Sequence, residues 1–122
     1  ASNFTYGSSP ANWPQLKKWA DENSKIFIPS VGPGYIDVRV RPWNARNTKS
    51  RENGAYYDRM FQAAVDSKAN WIGITSFNEW HEGTQIEPAK PFMNENFKYE
   101  DYQTQKPDFY LLKTKFWLGK FK

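Results

Sequence analysis

The chain has 122 residues, a net charge of +4 and a sequence pI near 9.3, material for a single domain across 1–122. With no Cys it has neither disulfides nor thiolate metal sites, and no apolar run nears the ~18 residues of a membrane span. Its Lys and Arg are spread out, with a modest cluster at Arg39, Arg41, Arg46, Lys49 and Arg51, which reads as solvated surface charge rather than a phosphate-tracking face, so no nucleic acid is expected.

The start, Ala1-Ser-Asn-Phe-Thr-Tyr6, has no signal-peptide pattern. It also lacks an initiator Met, which reads as a processed or truncated piece. Asn3-Phe4-Thr5 is a glycosylation sequon if the chain enters a secretory lumen.

The first helix is expected over Pro14 to Asn23. Asn12 stands as its N-cap and Pro14 in its first turn, while Trp13, Leu16, Trp19 and Ala20 keep helical spacing. Lys25-Ile-Phe-Ile-Pro29 is a short apolar run of strand type, ended by proline. A long loop from Ser30 to about Asn53 follows, rich in Gly, Pro, Asn and Arg, and loops of that length are often functional. From Ala55 to Ser67, Tyr57, Met60, Phe61, Ala64 and Val65 form one apolar stripe of a second helix.

Trp71 to Phe77 is the second strand, apolar throughout and expected to be buried on both faces, as in a parallel sheet. Asn78 to about Gln105 is another long loop. Pro107 to Leu118 closes the chain as a third helix, with Phe109, Leu112, Phe116 and Leu111 toward the core. This alternation predicts a parallel α/β architecture with two strands and three helices. A two-stranded sheet is marginal alone, so these strands are expected to join a larger sheet whose other strands lie elsewhere.

Chemistry concentrates after the second strand. Asn78, Glu79, Trp80, His81 and Glu82 place two carboxylates three residues apart, beside the only His in the chain and a large indole. Paired carboxylates suit general acid/base work, amides and carboxylates bind hydroxyls, and an indole offers a flat face to a sugar ring. The combination points to carbohydrate. Glycoside cleavage needs one group to protonate the leaving oxygen and another to supply electron density at the anomeric carbon. In parallel α/β folds such residues sit at the C-terminal ends of strands, where both this segment and Gly32-Pro-Gly-Tyr35 fall.

Each of these residues has a plainer alternative. Glu79 and Glu82 can be solvated loop carboxylates. A lone His among aromatics is more often a packing group than a catalyst, and with no second His it makes no metal site. Trp80 and Trp43 are either sugar platforms or core aromatics, with Trp80 assigned to the site and Trp43 to structure. Asn78 either binds a hydroxyl or forms a turn. Glu87, before Pro88, reads as a supporting residue, and Gly32, Pro33 and Gly34 as shapers of a loop backbone.

The segments Phe27-Ile-Pro-Ser-Val-Gly-Pro-Gly-Tyr-Ile-Asp37, Arg41-Pro-Trp-Asn44, Asn53-Gly54 with Tyr56-Tyr57, and Thr75-Ser-Phe-Asn-Glu-Trp-His-Glu-Gly-Thr-Gln-Ile-Glu87 run in order along the chain. With Phe4-Thr-Tyr-Gly-Ser-Ser9, Lys106-Pro107 and Tyr110-Leu111, they make it resemble the C-terminal third of glycoside hydrolase family 99, the endo-α-1,2-mannosidases. The resemblance implies the last units of a (β/α)₈ barrel, with the N-terminal units missing from this chain and no cofactor. It implies endo-acting, retaining cleavage of α-1,2-mannosidic linkages in glucosylated high-mannose N-glycans or mannans. Glu79 would be the base on the substrate's own 2-hydroxyl, giving a 1,2-anhydro sugar, and Glu82 the general acid and then base. Tyr35, Arg41, Asn78, Trp80 and His81 would bind substrate. A eukaryotic member would work in the Golgi lumen behind an upstream membrane anchor; a bacterial one would be periplasmic, cell-surface or secreted. The competing expectation is a catalytically incomplete fragment acting as a glycan-binding or structural module.

Overall fold

The computed structural model describes residues 9–36, 38, 41–43, 48–96, 98–99 and 101–121. Residues 1–8, with the sequon at Asn3, and Asp37, Arg39, Asn44 and Arg46 lie outside the described residues.

A single 3₁₀ turn, Pro10–Asn12, leads directly into α1, Trp13–Glu22. Pro14 occupies the first helical turn as expected, but Asn12 makes no side-chain cap. Ser9 instead accepts from the Ala11 amide at 3.4 Å and caps the preceding 3₁₀ turn. α2 spans Ala55–Asp66 and α3 spans Phe109–Lys120. β1, Ser30–Val31, pairs in parallel with β2, Gly73–Ile74. The described residues thus form an α/β unit of three helices and two parallel strands.

β1 begins after the apolar run in which it was expected. Phe27 of that run is buried, yet the ladder forms later, where the Gly73 amide meets the Pro29 carbonyl at 2.9 Å and the Thr75 amide meets Val31 at 2.8 Å. Proline ends the run because it has no N–H, but its carbonyl still accepts. The Ser30 and Thr75 hydroxyls add a cross-strand hydrogen bond of 2.7 Å.

The expectation of a second strand buried on both faces is corrected. β2 is two residues long, and Trp71 and Phe77 at the ends of its run are 62% and 55% exposed. A parallel strand is covered on both faces only when neighbouring strands and helices flank it, and β2 pairs here with β1 alone.

The core centres on α2. Tyr57, Met60, Phe61 and Ala64 are buried, as their spacing predicts, and Val65 packs beside them. Each large side chain of this stripe contributes roughly 2 kcal/mol by leaving water. α2 contacts β1, α1 and α3. Phe61 stacks on Trp117 at 5.8 Å with rings 2° apart, and Tyr57 meets Tyr110 at 5.8 Å.

α3 is rotated from the expected phase. Its buried residues are Tyr110, Thr114 and Trp117, while Leu112 and Phe116 are 55% and 57% exposed; Phe109 and Leu111 are partly buried against the core. The buried face carries polar atoms that find partners. The Thr114 hydroxyl donates to the Tyr110 carbonyl at 2.7 Å and bonds the Tyr57 hydroxyl at 2.8 Å. The Trp117 indole N–H donates to Asp58 at 2.8 Å, beside the Lys113–Asp58 ion pair of 2.6 Å.

Burial raises the Tyr57 phenol well above its ordinary value, outweighing its bond to Thr114. Burial also pushes Tyr102 up to about 12, against the opposing pull of Arg51. These phenols therefore hold their protons longer in the folded chain than in the unfolded one, where they titrate near ~10. Their contribution is complete below about pH 10 and is lost as pH rises through the folded values. We expect the Tyr57 and Tyr102 phenols to ionise late in a tyrosinate absorbance titration, together with unfolding. A single transition of all tyrosines near pH 10 in the folded protein would contradict this burial.

Candidate active site

β1 and β2 run side by side, so the loops after them emerge at the same end. The first begins Gly32-Pro-Gly-Tyr35 and the second carries Asn78 to Glu87. A backbone bond joins them: the Ile36 amide donates to the Glu82 carbonyl at 2.8 Å. The sequence therefore placed the two loops on one face, and the structure ties Tyr35's neighbour directly to Glu82.

The second loop folds back onto its own strand. The Ser76 amide donates to the Thr84 carbonyl at 2.9 Å, and the Ile86 amide returns to the Ser76 carbonyl at 3.1 Å. The Ser76 hydroxyl bonds Thr84 Oγ1 at 2.7 Å and accepts from the Glu79 amide at 2.9 Å. The Glu79 carbonyl in turn accepts from the Thr84 amide at 3.2 Å. Glu79's backbone is thus held by Ser76 on one side and Thr84 on the other. The peptide bond between Thr75 and Ser76 is cis.

Between those anchors, Trp80 to Gly83 make a tight turn closed by the Gly83 amide on the Trp80 carbonyl at 3.1 Å, with Gly83 at φ 64°. Thr84, Gln85 and Ile86 are buried, whereas Glu79 is exposed and Glu82 half-buried. The loop therefore has a buried stem and a tip that presents both carboxylate residues. Buried backbone groups need partners, and the paired stem supplies them.

Trp80 is half-buried, and its indole N–H donates to Glu87 Oε2 at 2.8 Å. This gives Glu87 the supporting part expected of it. The Trp80 ring also meets Tyr99 edge-on at 6.2 Å, and the half-buried His81 ring lies 6.5 Å from the same Tyr99. Tyr99 follows Lys98, which bridges Met93, in a stretch without the periodicity that would place it here. Asn78 is exposed, and its carbonyl accepts from the Trp80 amide at 3.0 Å; its turn-forming part is visible.

Tyr35 is half-buried and bridges Lys49 through two backbone bonds of 2.9 and 2.7 Å. Arg41 is exposed. Trp43 is 82% exposed, so its assignment to structure is corrected: it packs into no part of the described core. Gly34 does shape its loop. A Cβ there would stand 2.8 Å from Arg51 Cγ and 2.9 Å from the Lys49 carbonyl.

Within the cluster read as solvated charge, Arg41 and Lys49 are exposed, but Arg51 is not. It is 4% exposed, and its Nη2 donates to the carbonyls of Gly83 at 3.0 Å and Gln85 at 2.8 Å. Its guanidinium lies over the rings of Tyr102 at 5.0 Å and Tyr110 at 4.7 Å. Tyr102 itself donates to the Glu87 carbonyl at 2.6 Å. Nothing local in Lys49-Ser-Arg-Glu-Asn53 signals burial; the partners come from loops and a helix far along the chain.

No cluster of three His, Asp or Glu able to hold a metal occurs among the described residues, and no described helix is long and apolar enough to cross a membrane.

The model of the family described as "Glycosyl hydrolase family 99" matches residues 1–122. The glycoprotein endo-α-1,2-mannosidase of Rattus norvegicus is 53% identical over 120 residues, covering 98% of this chain and 26% of that protein. The glycoprotein endo-α-1,2-mannosidase-like protein of Homo sapiens is 51% identical over 122 residues, covering 99% of this chain and 27% of that one. Among solved structures, the GH99 endo-α-mannosidase of Bacteroides thetaiotaomicron superposes with a TM-score of 0.88 at 55% identity, over 99% of this chain and 36% of that structure. The chain spans about a quarter of the length of the curated relatives it matches.

Proposed function

We propose that this chain, which belongs to glycosyl hydrolase family 99, carries the catalytic carboxylates of an endo-acting, retaining α-mannosidase that cleaves internal α-1,2-mannosidic linkages in glucosylated high-mannose N-glycans or mannans. The observation that carries the reading is the anchored tip holding Glu79 and Glu82, at the end of a parallel strand pair and joined to the Tyr35 loop through the Ile36–Glu82 bond. The names of the matched relatives support the α-mannoside substrate. Two parallel strands with exposed flanking Trp71 and Phe77 support a place within a (β/α)₈ barrel, whose other units lie outside this chain. A eukaryotic protein of this kind would act in the Golgi lumen, a bacterial one in the periplasm, at the cell surface or outside the cell.

The chemistry then divides between the two carboxyl groups. Glu82, as the acid, gives its proton to the glycosidic oxygen as the C1–O bond breaks. Glu79 takes the proton of the 2-hydroxyl, whose oxygen closes on C1 to form the 1,2-anhydro sugar. In the second half, Glu82 takes a proton from water as that water opens the ring at C1, and Glu79 returns its proton to O2. Two displacements at C1 leave the anomeric configuration unchanged. General acid/base groups of this kind contribute about 10²–10⁴-fold each. Tyr35, Arg41, Asn78 and His81 are assigned to hydroxyl binding, and Trp80, oriented by Glu87, to contact with a sugar face.

The test compares the full-length protein with the isolated chain on a fluorescent α-1,2-linked mannoside. The full-length protein should release a disaccharide or longer product with retained configuration, and the isolated chain, with Glu79 exposed, should release none. A full-length protein that binds the glycan without cleaving it would replace this reading with that of a glycan-binding module.

A further inference from the structure

The carboxylate loop is held from beneath by a residue that its own stretch of sequence does not announce. Glu82 and Gly83 are fixed at successive carbonyls: Glu82 by the Ile36 amide at 2.8 Å, Gly83 by Arg51 Nη2 at 3.0 Å. The same Nη2 reaches the Gln85 carbonyl at 2.8 Å. One nitrogen therefore gathers two carbonyls of the turn just after Glu82, and a charge-assisted hydrogen bond is shorter and stronger than a neutral one.

The rest of the guanidinium is committed to staying there. Nε and Nη1 are buried and make no hydrogen bond among the described residues, while the rings of Tyr102 and Tyr110 lie 5.0 and 4.7 Å away. A buried charge compensated by aromatic faces and carbonyls is costly to form, and its planar fork has a fixed direction. Gly34 makes room for it, since a Cβ would sit 2.8 Å from Arg51 Cγ. Tyr102 steadies the same stem by donating to the Gln85 and Glu87 carbonyls at 3.2 and 2.6 Å. Glu79 has its own anchor in the Ser76 hydroxyl, which accepts from its amide at 2.9 Å, besides the bond from Thr84, which lies between Gly83 and Gln85.

We propose that Arg51 is a positioning residue for Glu82: its bonds to Gly83 and Gln85 set where the Glu82 carboxyl stands when it protonates the leaving oxygen, and they do little for Glu79. This rests on the acid role proposed for Glu82. A displacement of about 1 Å at a catalytic group costs on the order of 10²-fold, and losing a supporting partner typically costs about 10–100-fold.

The experiment compares kcat/KM of the full-length protein on two substrates. One is an α-1,2-linked mannoside glycan, whose leaving oxygen needs a proton. The other is the corresponding α-glycosyl fluoride, where the C1–F bond breaks, fluoride leaves as the anion without a proton, and the 2-hydroxyl still attacks C1. Arg51→Met removes the donors, and Arg51→Lys keeps a cation between the rings without the planar fork. Both should lose about 10–100-fold on the glycan, with the larger loss in Arg51→Met, and under about 3-fold on the fluoride, the loss residing in kcat more than in KM. Equal losses on both substrates, no loss on either, or failure of both variants to fold would each overturn the proposal, because a merely structural residue does not distinguish leaving groups. Glu82→Gln is assayed alongside: if it keeps wild-type rates on the glycan, the acid assignment itself fails, whatever Arg51 does.

Discussion

Glu82→Gln in the full-length protein should lower kcat/KM on an α-1,2-linked mannoside by about 10³-fold, inside the range ascribed to a general acid. Glutamine keeps the size and much of the polarity of the side chain but has no proton to give to the departing oxygen. The substitution lies on the half-buried tip of the loop, not in its stem. The stem bonds of Ser76, Thr84 and Ile86 are all made by other residues, and the Ile36–Glu82 bond uses the backbone carbonyl, which glutamine retains. Stability should therefore change by less than ~0.5 kcal/mol, as for surface changes generally, and the melting temperature should stay near that of the wild type. A large rate loss with an unchanged melt marks chemistry; loss of both together would mark a folding defect and withdraw support from the assignment.

The largest effect on stability should come from Gly54→Ala. Gly54 stands at φ 96° immediately before α2, a backbone conformation open to glycine and strained for any residue with a Cβ. Glu52 and Asn53 before it also have positive φ, at 50° and 55°, so the turn has little freedom to relax. The added Cβ would lie 2.4 Å from Lys113 Cε and 2.7 Å from the Phe109 ring. The lysine can swing away, though at the expense of its pairing with Asp58. The Phe109 ring is packed edge-on against Tyr110 at 5.1 Å and has less room. Left-handed strain of roughly 1–2 kcal/mol together with overpacking of roughly 1–3 kcal/mol gives a loss of about 3 kcal/mol, read by denaturant or thermal unfolding. Gly73→Ala is the control, since its Cβ would meet nothing nearer than 3.8 Å and should cost under ~1 kcal/mol. Equal losses at the two positions would contradict the strained turn.

The sequence was most readable where hydrophobicity alone decides. The α2 stripe of Tyr57, Met60, Phe61 and Ala64 was legible because each residue is apolar over most of its surface and repeats at helical spacing. The parallel pairing of β1 with β2, and the loops that follow them, were legible from the alternation of elements. α3 was harder. Its buried face carries Tyr110, Thr114 and Trp117, whose hydroxyls and indole N–H bond to Tyr57, the Tyr110 carbonyl and Asp58. Phe116 and Leu112 look better suited to a core, yet they face outward. Satisfied polar atoms make such burial possible, and their partners are distant in sequence.

The same reason hid Arg51. Its burial depends on Gly83, Gln85, Tyr102 and Tyr110, none of them near it along the chain. The candidate carboxylates were visible because their neighbours in sequence, Asn78, Trp80 and His81, already form an unusual cluster. Tyr99, which packs against Trp80 and His81, lay in a segment with no periodicity to place it. Short strands were the remaining difficulty: apolar runs set their neighbourhood, but the two-residue ladder is decided by which amides meet which carbonyls.

The division of labour between Glu79 and Glu82 is tested most directly by measuring kcat/KM for Glu79→Gln and Glu82→Gln on the glycan and on the matching α-glycosyl fluoride. Glu79→Gln should be impaired comparably on both, because the 2-hydroxyl must lose its proton in either case, while Glu82→Gln should recover most of its rate when fluoride is the leaving group. Identical behaviour of the two variants across the two substrates, or near wild-type rates in either variant on the glycan, would contradict the assignment.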